Sequence, residues 1–227
     1  MISHKHKCIF IHIPKCAGSS IRDFYFDTPR LNWKLPNYEL LYGWCPKRKI
    51  HLQHATSQQL LELDLVKPEI WDNYFKFTFI RNPYDRAVSD YFWLMKDRDI
   101  KGSFKDYITK KNVFKPVLSD NSVKEYRGDH LLQQTDFFDF SGNYKMDFIG
   151  KFEHIRIEIN KLNDQLGISK EFDIHAKKNS SRKNHYSIFY TNTRKRLVET
   201  YFKKDMKLLD YKFEDKRTGL NLLKKCL

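Results

Sequence analysis

The chain has 227 residues, with 42 Lys and Arg against 28 Asp and Glu, giving a formal net charge of +14. That length predicts one sizeable domain spanning 1–227, and the 41% hydrophobic and 15% aromatic content excludes a disordered chain. No apolar run reaches the length of a membrane span, and four cysteines without a CxxC pair favour neither a disulfide framework nor a zinc site.

Low cysteine use without regular spacing makes a reducing cytoplasm the expected home. The charge points to an anionic partner: a nucleotide, an acidic glycan, nucleic acid or a membrane surface. Solubilising surface lysine is the alternative reading, and charge by itself does not choose.

In chain order, "KCIFIHI" predicts a strand covered on both faces, because its β-branched and aromatic run does not alternate with polar residues. Its apolar character flows into "PKCAGSS" rather than into a cleavage site. Ile21, Phe24 and Tyr25 then follow helical spacing. A polar, proline-punctuated stretch runs from Thr28 to about Lys49, followed by a helix in "ATSQQLLELDL" capped by Thr56 or Ser57. Tyr74 to Ile80 is a second buried strand. Asn82 caps the next helix with Pro83 at its first position, and Ala87, Tyr91, Leu94 and Met95 form its apolar stripe.

From Asp97 to His130 the chain is polar, with one short helix at "SFKDYI". "MDFIGKF" is a third strand. A helix follows with Ile155, Ile159, Leu162 and Leu166 on one face and Gly167 as its stop. After the basic segment "AKKNSSRKNHYS", a last helix is predicted from about Thr193 to Leu209. This alternation predicts an α/β domain with a mostly parallel sheet.

Two segments carry chemistry. A buried strand, then "PKCAGSS", then a helix is the arrangement of an anion cradle, since amides at a helix start lack internal acceptors and the dipole favours negative charge there. Gly18 would let the backbone approach a ligand closely. Lys15 adds a positive charge, and Ser19 and Ser20 add hydroxyls. The competing reading is an ordinary turn with serine caps. This is no Walker loop, because the lysine precedes the glycine and the GxxxxGK spacing is missing. "RNPYDRAVS" repeats the strand-to-helix pattern, with Arg81 at the strand exit and Ser89 along the helix; both side chains suit a phosphate. Arg86 is read as a structural residue paired with Asp85 or Asp90. Two such sites imply a ligand with two separated anionic groups.

"HIPKCAGSS" resembles the 5′-phosphosulfate loop of sulfotransferases, and "RNPYDRAVSDYF" resembles their 3′-phosphate motif. The likeness continues through "HATSQQLLELD", "DFIGKFEHI" and "NSSRKNHYSIFY", which resemble the carbohydrate and heparan-type branch and its bacterial relatives; Thr28–Lys49 and Asp97–Glu125 are poorly covered. It implies a P-loop-like, three-layer α/β/α fold with a central, mostly parallel sheet. The implied donor is 3′-phosphoadenosine 5′-phosphosulfate (PAPS), with no metal, and the implied acceptor is a saccharide hydroxyl, or else a small-molecule alcohol, phenol or amine. Carried over, Lys15 steadies the leaving oxygen as a catalytic residue, while Gly18, Ser19 and Ser20 complete the cradle. Arg81 and Ser89 take the 3′-phosphate, and Arg182 and Lys183 lie in a basic loop that closes over the nucleotide. Cys16 is a departure, since relatives often carry threonine there.

Among nine histidines, His54 is the expected base by its position just before a helix and between the two motifs. His51 is the runner-up, and His130 is expected to shape an acceptor cleft. The rest, His12 included, are read as ordinary core or surface residues. A nucleotide kinase would need the Walker spacing and a magnesium aspartate, neither of which is found. A nucleic-acid-binding module rests on charge alone. The expected partners are therefore a nucleotide donor and a saccharide or small-molecule acceptor, without nucleic acid or a membrane span, and with oligomeric state left open.

Overall fold

The computed structural model describes residues 1–26, 31–172 and 184–225. Strands β1 (Ile2–Ser3) and β2 (Cys8–Ile11) lead into helix α1 (Gly18–Tyr25). A small hairpin follows, β3 (Trp44–Cys45) and β4 (Ile50–His51), then α2 (Ser57–Glu62), α3 (Pro68–Asn73) and β5 (Phe75–Ile80). Next come α4 (Pro83–Arg98), α5 (Phe104–Ile108), α6 (Lys115–Ser119), β6 (Phe148–Lys151) and α7 (Ile155–Leu166). Helices α8 (Asn192–Tyr201) and α9 (Lys203–Leu208) complete the order, with short 3₁₀ turns between elements. The fold is α/β, with a central, mostly parallel sheet flanked by helices.

The chain forms two compact units. The first holds Met1–Arg81, Asn121–Glu125 and Gln134–Lys178; the second holds Asn82–Asp120, Tyr126–Gln133 and Asn179–Leu227.

The first unit is built on a four-stranded sheet in the order β1-β2-β5-β6, in which β2, β5 and β6 run parallel and β1 is antiparallel. All four residues of β2 are fully buried, as expected for a parallel strand covered on both faces. Phe10 stacks on its register partner Phe77 at 5.0 Å, and Tyr25 of α1 meets Phe77 edge-on at 5.6 Å. The Thr78 hydroxyl donates to the Ile11 carbonyl at 2.7 Å, tying β5 to β2 near their carboxyl ends. Burial pushes the Cys8 thiol up to about 12, so it behaves as a small core hydrophobe. Ile159 and Leu162 are buried on α7, and Gly167 ends that helix with φ of 64°. Tyr25 also donates to the Asn163 side chain at 2.7 Å, which joins α1 to α7.

In the second unit, Ala87, Tyr91 and Leu94 on α4 pack into an aromatic-rich core with Phe104, Tyr107 and Tyr190. The Asn82 side chain accepts from the Tyr84 amide with Pro83 at the first position, as the sequence predicts.

Several expectations change, among them the second short helix, α6, in a stretch predicted to hold one. The single helix predicted over 193–209 is divided at the buried Phe202, which ends α8 and caps α9. The Gln133 side-chain oxygen accepts from the Lys204 and Asp205 amides at 2.9 and 3.3 Å, satisfying the new helix start from a distant part of the chain. The polar stretch before residue 50 contains the first strand of the β3–β4 hairpin. Thr56 is the cap of α2, through a capping box with Gln59, and the helix stops at Glu62.

A Cβ added at Gly150 would lie 2.5 Å from a ring carbon of Phe79, its partner across β5–β6. Gly150→Ala should therefore cost about 1–3 kcal/mol, the usual penalty of overpacking a filled core, read as a lower urea midpoint at unchanged slope.

Candidate active site

Because β2, β5 and β6 are parallel neighbours, their carboxyl ends leave one edge of the sheet together. Ile11 pairs with Thr78, and Ile80 pairs with Lys151, so Lys15, Arg81 and Phe152 all follow strand ends at that edge. Such edges are where open α/β sheets bind ligands.

The turn after β2 is bent in an unusual way. Lys15 and Ala17 both have positive φ, 70° and 64°, a region that side chains normally avoid at a cost of order 1 kcal/mol each. Left-handed residues alternating with ordinary ones curl successive amides toward a common concave side, the geometry of an anion nest. Ala17 is the N-cap of α1 and provides no side-chain cap, while Gly18, Ser19 and Ser20 fill the first turn. The serines therefore do not cap the helix. The first i to i−4 bond runs from the Ile21 amide to the Ala17 carbonyl at 3.1 Å, which leaves the earlier amides at the positive end of the dipole.

Gly18 is needed for a reason other than the one expected. Its φ is not positive, and a Cβ there would lie 1.7 Å from Nε2 of His12. The missing side chain makes room for an imidazole from β2's exit. That ring stacks on Phe10 at 5.4 Å and meets His54 edge-on at 4.9 Å. His12, assigned no role from sequence, thus links the turn to the expected base. Its i−3 position before Lys15 was the available signal.

Arg81 is nearly buried and is held at several points. Its guanidinium donates to the Lys15 carbonyl at 2.8 Å and lies 4.1 Å from the centre of the Phe152 ring. Its main-chain N–H and C=O are both bonded, at 2.8 Å, to the side-chain amide of Gln134. The same Gln134 oxygen accepts from the Cys16 thiol at 3.5 Å. Cys16 therefore points inward, so its departure from threonine alters an internal contact rather than a cradle donor.

His54 ends a 3₁₀ turn (Leu52–His54) just ahead of the Thr56 cap, where the sequence placed it. It is half-buried. His51 is 2% exposed and lies under Trp44 at 4.9 Å, which makes it the more enclosed of the two.

The second unit carries Ser89, half-buried on α4, and a histidine network of its own. His130 Nδ1 lies 2.6 Å from Asp90 Oδ1, Tyr107 donates to Asp90 Oδ2 at 2.8 Å, and Trp93 stacks on the imidazole at 4.9 Å. Burial, aided by the Asp90 charge, pushes the Tyr107 phenol well above its ordinary value, so it stays a donor. A carboxylate at Nδ1 orients the ring. Arg86 is fully buried and donates to the His130 and Leu132 carbonyls at 2.9 and 3.0 Å, a structural use through main-chain acceptors where the sequence suggested Asp85 or Asp90. Arg182 and Lys183 lie outside the described residues.

The profile of the family described as "Sulfotransferase family" matches residues 1–212, across both units. The chain belongs to the sulfotransferase family. This sulfotransferase is also similar to an uncharacterized protein of Archaeoglobus fulgidus, 26% identical over 112 residues, covering 48% of this chain and 81% of that one. No solved structure matches it.

In this sulfotransferase the Gly18–His12 contact predicts a coupled pair. Gly18→Ala should destabilise by about 1–3 kcal/mol as the ring is displaced. In a His12→Ala background most of that cost should vanish, and a double-mutant cycle by urea unfolding reads the difference.

Proposed function

We propose that this chain moves a sulfuryl group from PAPS to an acceptor hydroxyl, most fittingly on a saccharide, by in-line displacement. The observation that carries the reading is the Arg81 guanidinium bonded to the Lys15 carbonyl beside an α1 that lacks a side-chain cap. Two cationic side chains and a helix start thus share one sheet edge, which suits a nucleotide with two phosphate positions.

PAPS supplies an activated sulfuryl group and a nucleotide leaving group. The Gly18, Ser19 and Ser20 amides, with the serine hydroxyls, hold the 5′ end. Lys15 neutralises charge on the bridging oxygen as the bond to sulfur breaks, the kind of electrostatic term that dominates many enzymes. Arg81 takes the 3′-phosphate; the resemblance alone also assigns Ser89 to that phosphate and Arg182 and Lys183 to the nucleotide. His54 accepts the proton of the acceptor hydroxyl, with His12 against its ring. The family match spans both units, which supports treating 1–227 as one working domain. The +14 charge favours an acidic saccharide; a small alcohol, phenol or amine is the other acceptor class. A cytoplasmic setting fits the scattered thiols, of which Cys8, Cys16 and Cys45 are unbridged.

A second reading concerns the base alone. The Asp90–His130 pair has the carboxylate-oriented imidazole that general bases commonly use, which favours His130 for that role.

Calorimetric titration with adenosine 3′,5′-bisphosphate, with ATP as control, tests the donor. Arg81→Ala should weaken that binding about 10- to 100-fold, the worth of a charge-assisted hydrogen bond or two. Lys15→Ala should lower turnover by about 10²–10³-fold, as for loss of an oxyanion donor. Wild-type behaviour of either variant would count against the assignment.

His54→Ala should leave bisphosphate affinity unchanged and reduce turnover about 10²–10⁴-fold. If His130→Ala and Asp90→Asn carry that loss while His54→Ala does not, the base is His130.

A further inference from the structure

Gln134 lies in "LLQQTD", with no charge and no motif to single it out, yet it is fully buried at the edge where β2 and β5 end. Its amide is used at both ends. The oxygen accepts from the Arg81 N–H at 2.8 Å, and the nitrogen donates to the Arg81 carbonyl at 2.8 Å. This is the bonding that a neighbouring strand would provide, delivered to the residue just past the end of β5 by a side chain. Arg81 is thereby held as though the strand continued by one residue.

The bonding closes into a ring. The Arg81 guanidinium reaches the Lys15 carbonyl at 2.8 Å, Lys15 is joined to Cys16 by the chain, and the Cys16 thiol returns to the Gln134 oxygen at 3.5 Å. All four residues belong to the first unit. The Lys15 carbonyl that Arg81 grips belongs to a residue with φ of 70°. A conformation of that cost persists only where surrounding contacts enforce it.

We infer that Gln134 is a positioning residue for the donor site, one that acts through Arg81 to hold the left-handed turn at Lys15 and to present both cationic side chains as a preset pair. This inference rests on the nucleotide-donor reading above. An arginine left to sample its rotamers would lose side-chain entropy on meeting a phosphate; one fixed at its main chain and stacked on Phe152 has lost most of it beforehand. The amide also excludes a simple packing role, because a hydrocarbon of the same shape would fill the space and leave the Arg81 N–H and C=O without these bonds.

The test is titration of the full chain with adenosine 3′,5′-bisphosphate, for wild type, Gln134→Met, Arg81→Ala and the double variant, together with Gln134→Glu from pH 5 to 8. Gln134→Met should weaken binding about tenfold, as expected for one misdirected charge-assisted hydrogen bond, while the acceptor KM stays at the wild-type value. In the Arg81→Ala background the same change should have little further effect, since the residue through which it acts is gone. Gln134→Glu should bind poorly at high pH, where a carboxylate faces the Arg81 carbonyl. Relative to wild type it should recover as the pH falls and a protonated carboxyl donates in place of the amide. That pH-dependent rescue also carries the test if Gln134→Met fails to fold.

Undiminished binding by the Gln134 variants would overturn the inference while leaving the donor reading intact. Equal losses in the wild-type and Arg81→Ala backgrounds would overturn it too, by showing that Gln134 does not work through Arg81. Absence of binding by the wild-type chain would instead overturn the donor reading, and this inference with it.

Discussion

The site depends on the parallel pairing of β2 with β5. β2 is apolar throughout and β5 is buried from Lys76 to Ile80, so both are strands covered on two faces, and they lie side by side in the same direction. Parallel direction has a geometric result that an antiparallel pair would not have: the two segments that follow the strands emerge at one edge. Ile11 and Thr78 are register partners, and everything beyond them follows from that match. The lysine in one connection and the arginine in the other become neighbours, joined by the bond from the Arg81 guanidinium to the Lys15 carbonyl.

A nearly buried guanidinium needs compensation, and the structure shows how the arginine is accommodated. Its charge is met by a carbonyl and an aromatic face, groups that stabilise a cation without neutralising it. A carboxylate in either position would compete with a phosphate for the guanidinium. Neither the Lys15 carbonyl nor the Phe152 ring carries a net negative charge.

Much of this was legible in the residues. The buried strands, the Asn82 cap, the Gly167 stop and the order of strands and helices follow from local patterns of period and capping. Lys15 and Arg81 stood out because charged residues directly after apolar strands need a reason. What stayed hidden depends on partners far apart in the chain. The break at Phe202 is supported by Gln133, about seventy residues away, and helical periodicity carries no sign of it. Gly18 looked like a concession to a ligand because the imidazole occupying its missing side chain comes from the preceding strand exit. His12 and Gln134 were passed over for the same reason: one ring or one amide has no pattern until its neighbours are placed. The two-residue strands of the β3–β4 hairpin were too short to give alternation at all.

The chain's path also bears on how the protein is made. It leaves the first unit after Arg81, returns for a few residues at Asn121, departs again, and settles from Gln134 onward. Strand β6, the outer neighbour of β5, is therefore synthesised only after most of the second unit's central segments. Until then the hydrophobic β5 presents a bare ladder of amides and carbonyls, the kind of surface through which nascent chains stick to one another. Closing so long a loop is entropically slow, which lengthens the time for which that ladder is uncovered.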